Sequence, residues 1–209
     1  MTTRIKLCGL TRPEDVDAAV AAGADAVGFV FYPASPRYVS VEHAALLIRR
    51  LPPFVLSVGL FVNAAPDTIA ATLARLPLNL LQFHGDESPA ECERWQRPYL
   101  KAVRVVPGVD LRRMAADFAT ARALLLDADT KSYGGSGKTF DWSLIPADLS
   151  LPIVLSGGLT PENVGAAILQ VRPLGVDVSS GIEVAKGQKD HRRMRDFVAA
   201  VKAAEQAMT

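Results

Sequence analysis

Two proton-transfer side chains stand at the ends of apolar runs in this chain: Cys8 closes IKLC and Asp127 closes ALLLD. A thiol and a carboxyl at such positions can serve as general base and general acid. Each also has a plainer reading. A free cysteine is ordinarily a small buried apolar group, and Asp127 reads equally as a loop or cap residue. Strand alternation puts Lys6 on the same side as Cys8. A cation there would lower the thiol pKa, although Lys6 reads as well as a structural charge paired deeper in the fold.

Further along, LSGGLTPEN carries Gly157 and Gly158, and DVSSGIE carries Ser179, Ser180 and Gly181. Glycine lets backbone N–H groups approach a phosphate closely, and a helix N-terminus adds partial positive charge. Either loop alone is equally a tight turn; the two together favour a phosphate site. Arg37 in YPASPRYVS follows two prolines, a stiff setting suited to bidentate grip of a carboxylate. His84 follows an apolar run and reads as a loop brace or a ligand contact. YGGSGKT fails as a P-loop because Ser132 stands where a glycine is needed. Its Gly134, Gly135, Ser136 and Gly137 instead point to a lid that closes over a ligand. Lys101 is the only candidate for a Schiff base, and nothing around it singles it out. His43 and His191 read as exposed helical residues, Cys92 as packing. No metal-ligand spacing is present.

These residues need a scaffold that gathers strand ends. Short apolar runs alternate with alanine-rich helical stretches: strands are expected at residues 5–8, 26–31, 54–61, 78–83, 99–105, 123–127, 152–156 and 176–179. Thr11 and Glu14 read as a capping box with Gly23 as the stop, Ser40 as a cap, and Ser88 with Glu91 as a second box with Pro89 at the first helical position. A short helix is expected after Asp141, one opening at Thr160-Pro161-Glu162, and a last from about Asp190. Eight β–α units at roughly 26 residues each fit a single-domain (β/α)8 barrel over residues 1–209. An open doubly wound sheet would carry a glycine fingerprint after the first strand, and CGLTRPED is not one. In the barrel, the active site lies where the strands end, which is where Cys8, His84, Asp127 and the glycine loops fall.

Bulk properties narrow the partners. The net charge is +1, with 22% charged and 49% hydrophobic residues. That balance argues against nucleic acid and leaves room for a local pocket for one phosphorylated small molecule. Two distant cysteines support neither a disulfide framework nor a metal cluster, so a cytoplasmic setting is expected. The absence of an apolar signal region and of an apolar run near about 18 residues argues against export and membrane spanning. Oligomeric state is open between monomer and homodimer.

KLCGLT, FYPASPRYVS, GLFVN, LQFHGDE, LLLDADT with GGSGKTFDW, LSGGLTPENV and DVSSGIE, in that order, resemble the phosphoribosylanthranilate isomerases of tryptophan biosynthesis. The resemblance runs from Lys6 to about Asp190. It implies an Amadori rearrangement, with Asp127 as general acid on the furanose ring oxygen and Cys8 as general base at C2. It also implies Arg37 on the anthranilate carboxylate, the last two loops on the phosphate, and no metal or cofactor. Two other classes compete. A different phosphosugar barrel enzyme would need a Schiff-base lysine, a metal or paired carboxylates. A non-enzymatic phosphosugar binder would keep the glycine loops but have no use for an opposed acid and base.

Overall fold

The computed structural model describes residues 2–128 and 139–208. Eight parallel strands close in sequence order into a barrel: β1 Arg4–Cys8, β2 Ala26–Val30, β3 Leu56–Phe61, β4 Leu80–Phe83, β5 Tyr99–Val105, β6 Ala123–Ala128, β7 Ile153–Leu155 and β8 Gly175–Val178. Closure is made by β1 on β8, with Lys6 opposite Asp177 in the register. Among the described residues seven helices flank the strands: α1 Pro13–Ala22, α2 Val41–Ile48, α3 Pro66–Arg75, α4 Pro89–Glu93, α5 Leu111–Asp117, α6 Val164–Val171 and α7 His191–Ala207. In the described part of the sixth unit a 3-10 turn spans Trp142–Leu144, capped by Asp141. A small antiparallel hairpin, β9 Glu183–Ala185 with β10 Gln188–Lys189, follows the last barrel strand. The glycine-rich segment read as a lid, with Gly134, Gly135, Ser136 and Gly137, lies outside the described residues.

The strands read as continuous apolar runs because both of their faces are covered. Outside, one large core packs strand residues such as Leu7, Phe29, Phe61, Phe83 and Leu126 against helix residues such as Leu47, Ala167 and Phe197. Inside, the floor is apolar: Leu100, Ala102, Ala123, Leu125 and Val154. A second apolar group, Cys8, Val30, Leu60 and Val62, lies at the mouth. Between them the interior carries the buried polar side chains Lys6, Gln82 and Asp177.

Helix starts follow their caps, with two differences. Ser40 accepts from His43 N–H, and Ser88 with Glu91 forms the full capping box ahead of Pro89. Gly23 ends α1 at φ +97°, its N–H turned back on Ala19 and Val20. Thr11 does not cap α1. The N-cap residue is Arg12, and the Thr11 hydroxyl donates to the Gly187 carbonyl of the hairpin at 2.8 Å. A tertiary acceptor has taken the place of the local one. The helix expected to open at Thr160 begins at Val164, because Asn163 Oδ1 accepts from Thr160 N–H and holds that stretch as a turn. His43 and His191 are half-buried and bonded, to the Thr11 carbonyl at 2.7 Å and to Asp15 at 2.9 Å. Among the described residues no helix is long and apolar enough to cross a membrane.

Candidate active site

The strand ends surround one cleft. Its lining includes Cys8, Arg37, Gln82, His84, Asp127, Ser156, Gly157, Gly158, Asp177, Ser179 and Ser180. Cys8 and Asp127 thus face the same space from β1 and β6, which are separated in the barrel by β8 and β7.

The cysteine side is built on a buried ion pair. Lys6 Nζ lies 2.8 Å from Asp177 Oδ1, and Ser156 Oγ donates to Asp177 Oδ2 at 3.2 Å. Burial works against the Lys6 charge, but Asp177 and Cys8 together outweigh it and hold the ammonium above the ordinary lysine range. Burial also pushes the Cys8 thiol up, while the Lys6 ammonium pulls it back toward the thiolate; the net direction is up. Gly28 on β2 makes room for this contact. A Cβ there would stand 2.6 Å from Cys8 Sγ and 3.2 Å from Lys6 Nζ. Any side chain would push the thiol and the ammonium aside.

The aspartate side is a chain of hydrogen bonds. Gln82 Nε2 donates to His84 Nδ1 at 2.8 Å, which fixes the tautomer with its proton on Nε2. That N–H donates to Asp127 Oδ2 at 3.0 Å. Asp127 Oδ1 accepts from Ala128 N–H at 2.9 Å. His84, one reading of which was a loop brace, therefore braces the carboxyl itself. Gln82 is fully buried and its Oε1 has no partner among the described residues.

The seventh and eighth loops meet at one side of the cleft. Gly157 and Gly158 both have positive φ, +76° and +68°, a region costly for other residues. A Cβ on Gly157 would stand 2.2 Å from Ala128 N. Among the described residues, the N–H groups of Gly157 and Gly158 have no hydrogen-bond acceptor. Ser179 and Ser180 face the cleft from the eighth loop, where a 3-10 turn spans Ser180–Ile182. Gly181 does not line the cleft. It packs so closely on the seventh loop that a Cβ would stand 1.9 Å from the Leu159 carbonyl oxygen, so it joins the two loops.

Arg37 reaches the cleft from a braced turn, in which Ser35 Oγ accepts from its N–H and Tyr38 pairs with Val30. Its guanidinium is not wholly free. Nε and Nη2 are gripped by Glu183 at 2.7 and 2.8 Å. The edge left for a ligand is the end-on one, Nη1 with the second proton of Nη2. Glu183 escaped the sequence reading, as did Gln82, Asp177 and Lys189. A polar residue inside an apolar strand was the signal for Gln82 and Asp177; Glu183 and Lys189 gave none. Lys101 stands apart, bonded to Glu87 at 2.8 Å and to the Gly85 carbonyl at 2.7 Å, and does not line this cleft. Cys92 is buried, its thiol pushed up to about 12 by desolvation. Among the described residues no cluster of three or more His, Cys, Asp or Glu side chains could hold a metal ion.

The architecture has named relatives. The family model of N-(5'-phosphoribosyl)anthranilate (PRA) isomerase matches residues 5–200. The N-(5'-phosphoribosyl)anthranilate isomerase of Dechloromonas aromatica is 60% identical over 208 residues, covering 100% of both chains. That of Methylibium petroleiphilum is 62% identical over 98% of this chain and 96% of its own. The crystal structure of phosphoribosyl anthranilate isomerase from Thermotoga maritima superposes with a TM-score of 0.90 at 47% identity, covering 97% of this chain and all of that one. A structure of this isomerase in complex with reduced 1-(o-carboxyphenylamino)-1-deoxyribulose 5-phosphate superposes at 0.86 and 43% identity, over 97% of this chain and all of its own. With a full-length family match laid over a barrel whose mouth sets a cysteine and an aspartate around one cleft, this chain belongs to the N-(5'-phosphoribosyl)anthranilate isomerase family.

Proposed function

We propose that this chain, acting as one barrel domain over residues 1–209, isomerises N-(5-phosphoribosyl)anthranilate to 1-(2-carboxyphenylamino)-1-deoxyribulose 5-phosphate in tryptophan biosynthesis. Asp127 gives a proton to the furanose ring oxygen as the C1–O bond breaks. The aniline nitrogen lone pair completes a protonated Schiff base at C1. The Cys8 thiolate takes the proton from C2, and the freed electron pair forms the C1=C2 bond and neutralises the nitrogen. Transfer of the C2 hydroxyl proton and protonation of C1 turn the enolamine into the ketone. The substrate brings its own amine, so the reaction needs no lysine nucleophile.

The observation that carries this reading is the pairing of a cysteine beside a buried ammonium with an aspartate held by an imidazole, across one cleft. Gly157, Gly158, Ser179 and Ser180 receive the phosphate, with Gly181 fixing the loops. The end-on edge of Arg37 receives the carboxylate. Lys6 supports the thiolate, and His84 positions Asp127. The partner is a small phosphorylated substrate, in the cytoplasm, with the enzyme as a monomer or homodimer. The test is direct: on adding purified protein, the fluorescence of N-(5-phosphoribosyl)anthranilate falls as it is converted. An unchanged signal with folded protein overturns the reading.

A further inference from the structure

Arg37 is one member of a buried unit of three charges. Glu183 Oε1 accepts from Arg37 Nε at 2.7 Å and from Lys189 Nζ at 2.8 Å, while Glu183 Oε2 accepts from Arg37 Nη2 at 2.8 Å. Lys189 Nζ also donates to the Ser179 carbonyl at 2.9 Å and to Ser179 Oγ at 3.3 Å. Its side chain has no solvent exposure; those of Glu183 and Arg37 are 5% and 9% exposed. The three come from separate elements: the loop after β2, the start of β9, and β10. Gly9 lets Arg37 and Ser179 come close, since a Cβ there would stand 2.5 Å from Arg37 Cδ and 3.1 Å from Ser179 Oγ.

Three features set this unit apart from a structural brace. It reaches the cleft lining at two residues, directly through Arg37 and by hydrogen bonds to Ser179. Its formal charge is +1, two cations around one carboxylate. Without Lys189, Arg37 and Glu183 would cancel, leaving a neutral pair to meet an anion. Glu183 also occupies the side edge of the guanidinium, so only the end-on edge can turn to a ligand. A charged hydrogen-bonded contact of this kind is strong and directional, and a buried pair that loses one partner leaves the other uncompensated.

We infer that Glu183 and Lys189 are positioning residues that serve both anion subsites at once. Glu183 sets the edge that Arg37 presents to an aryl carboxylate. Lys189 holds Glu183 and the Ser179 backbone together and supplies the charge that keeps the assembly cationic. The inference rests on the proposed placing of a carboxylate at Arg37 and a phosphate at Ser179. It adds two residues that need not touch the substrate.

The test titrates anthranilate and inorganic phosphate separately into wild type, Arg37→Ala, Lys189→Met and Glu183→Gln, and measures KM and kcat for each. Arg37→Ala loses anthranilate affinity and keeps phosphate affinity within about twofold. Lys189→Met weakens both ligands by about tenfold and raises KM more than it lowers kcat. Loss of only one ligand, or an unchanged KM, overturns the inference. Glu183→Gln is close in shape and raises the unit's charge to +2, so it stands in where Lys189→Met fails to fold. Orientation by Glu183 means that Glu183→Gln binds anthranilate about fivefold more weakly despite the added charge; tighter binding overturns it. A wild type that binds both ions but does not turn over N-(5-phosphoribosyl)anthranilate refutes the proposed reaction and leaves this inference standing.

Discussion

The two sides of the cleft are built by opposite means. Around Cys8 the protein has buried full charges: Lys6 with Asp177, and farther out Arg37 and Lys189 around Glu183. Around Asp127 it has an amide, an imidazole and a backbone N–H, and no lysine or arginine bonds to that carboxyl among the described residues. The contrast matches the two tasks proposed for Cys8 and Asp127. A thiol in an apolar mouth must be helped to lose its proton, which needs a nearby cation. A carboxyl meant to donate must carry its proton at the moment of reaction, and a firmly paired cation would oppose that. Dipoles can aim the carboxyl without imposing a charge on it.

The largest effects fall on the two groups themselves. Cys8→Ala and Asp127→Ala each lower kcat by about 10²–10⁴-fold with circular dichroism unchanged; near-normal turnover in either breaks the assignment. Lys6→Met comes next. It leaves Asp177 buried without its cation, lowering unfolding free energy by about 3–5 kcal/mol in chemical denaturation. It also moves the alkaline rise of the pH–rate profile upward. The sign is set by the active form. Burial already holds the Cys8 thiol above its ordinary value, so kcat/KM climbs with pH through neutrality. Removing the ammonium extends that climb and depresses the rate at fixed pH. A profile that does not move separates Lys6 from the thiolate. His84→Ala sharpens the other side: loss of a hydrogen bond to a carboxylate lowers kcat by about tenfold to hundredfold, with little change in KM. The smallest effect on turnover belongs to Arg37→Ala, which mainly raises KM; a fall in kcat alone would remove Arg37 from carboxylate binding.

The barrel was legible because its strands are buried on both faces and read as uninterrupted apolar runs. Their ends then pointed to Cys8, His84, Asp127 and the glycine loops. The pairing of these residues with their supports was hidden. Lys6 and Asp177 are 171 residues apart in sequence and meet only because β1 closes on β8. Glu183 and Lys189 lie in strands of three and two residues, too short for alternation to show. Thr11 satisfied the pattern of a helix cap, yet its hydroxyl found a carbonyl from the far end of the chain. Local pattern reports local partners, and this site is held mostly by distant ones.

The Lys6–Asp177 pair has a consequence in time as well as in space. Its members belong to the first and last barrel strands, so during synthesis the cation made at the start waits for nearly the whole chain before its partner exists. Contacts of such sequence separation form late and slow folding. Helix content in a refolding chain should therefore return before turnover does. The return of activity becomes a clock for the closing of the ring.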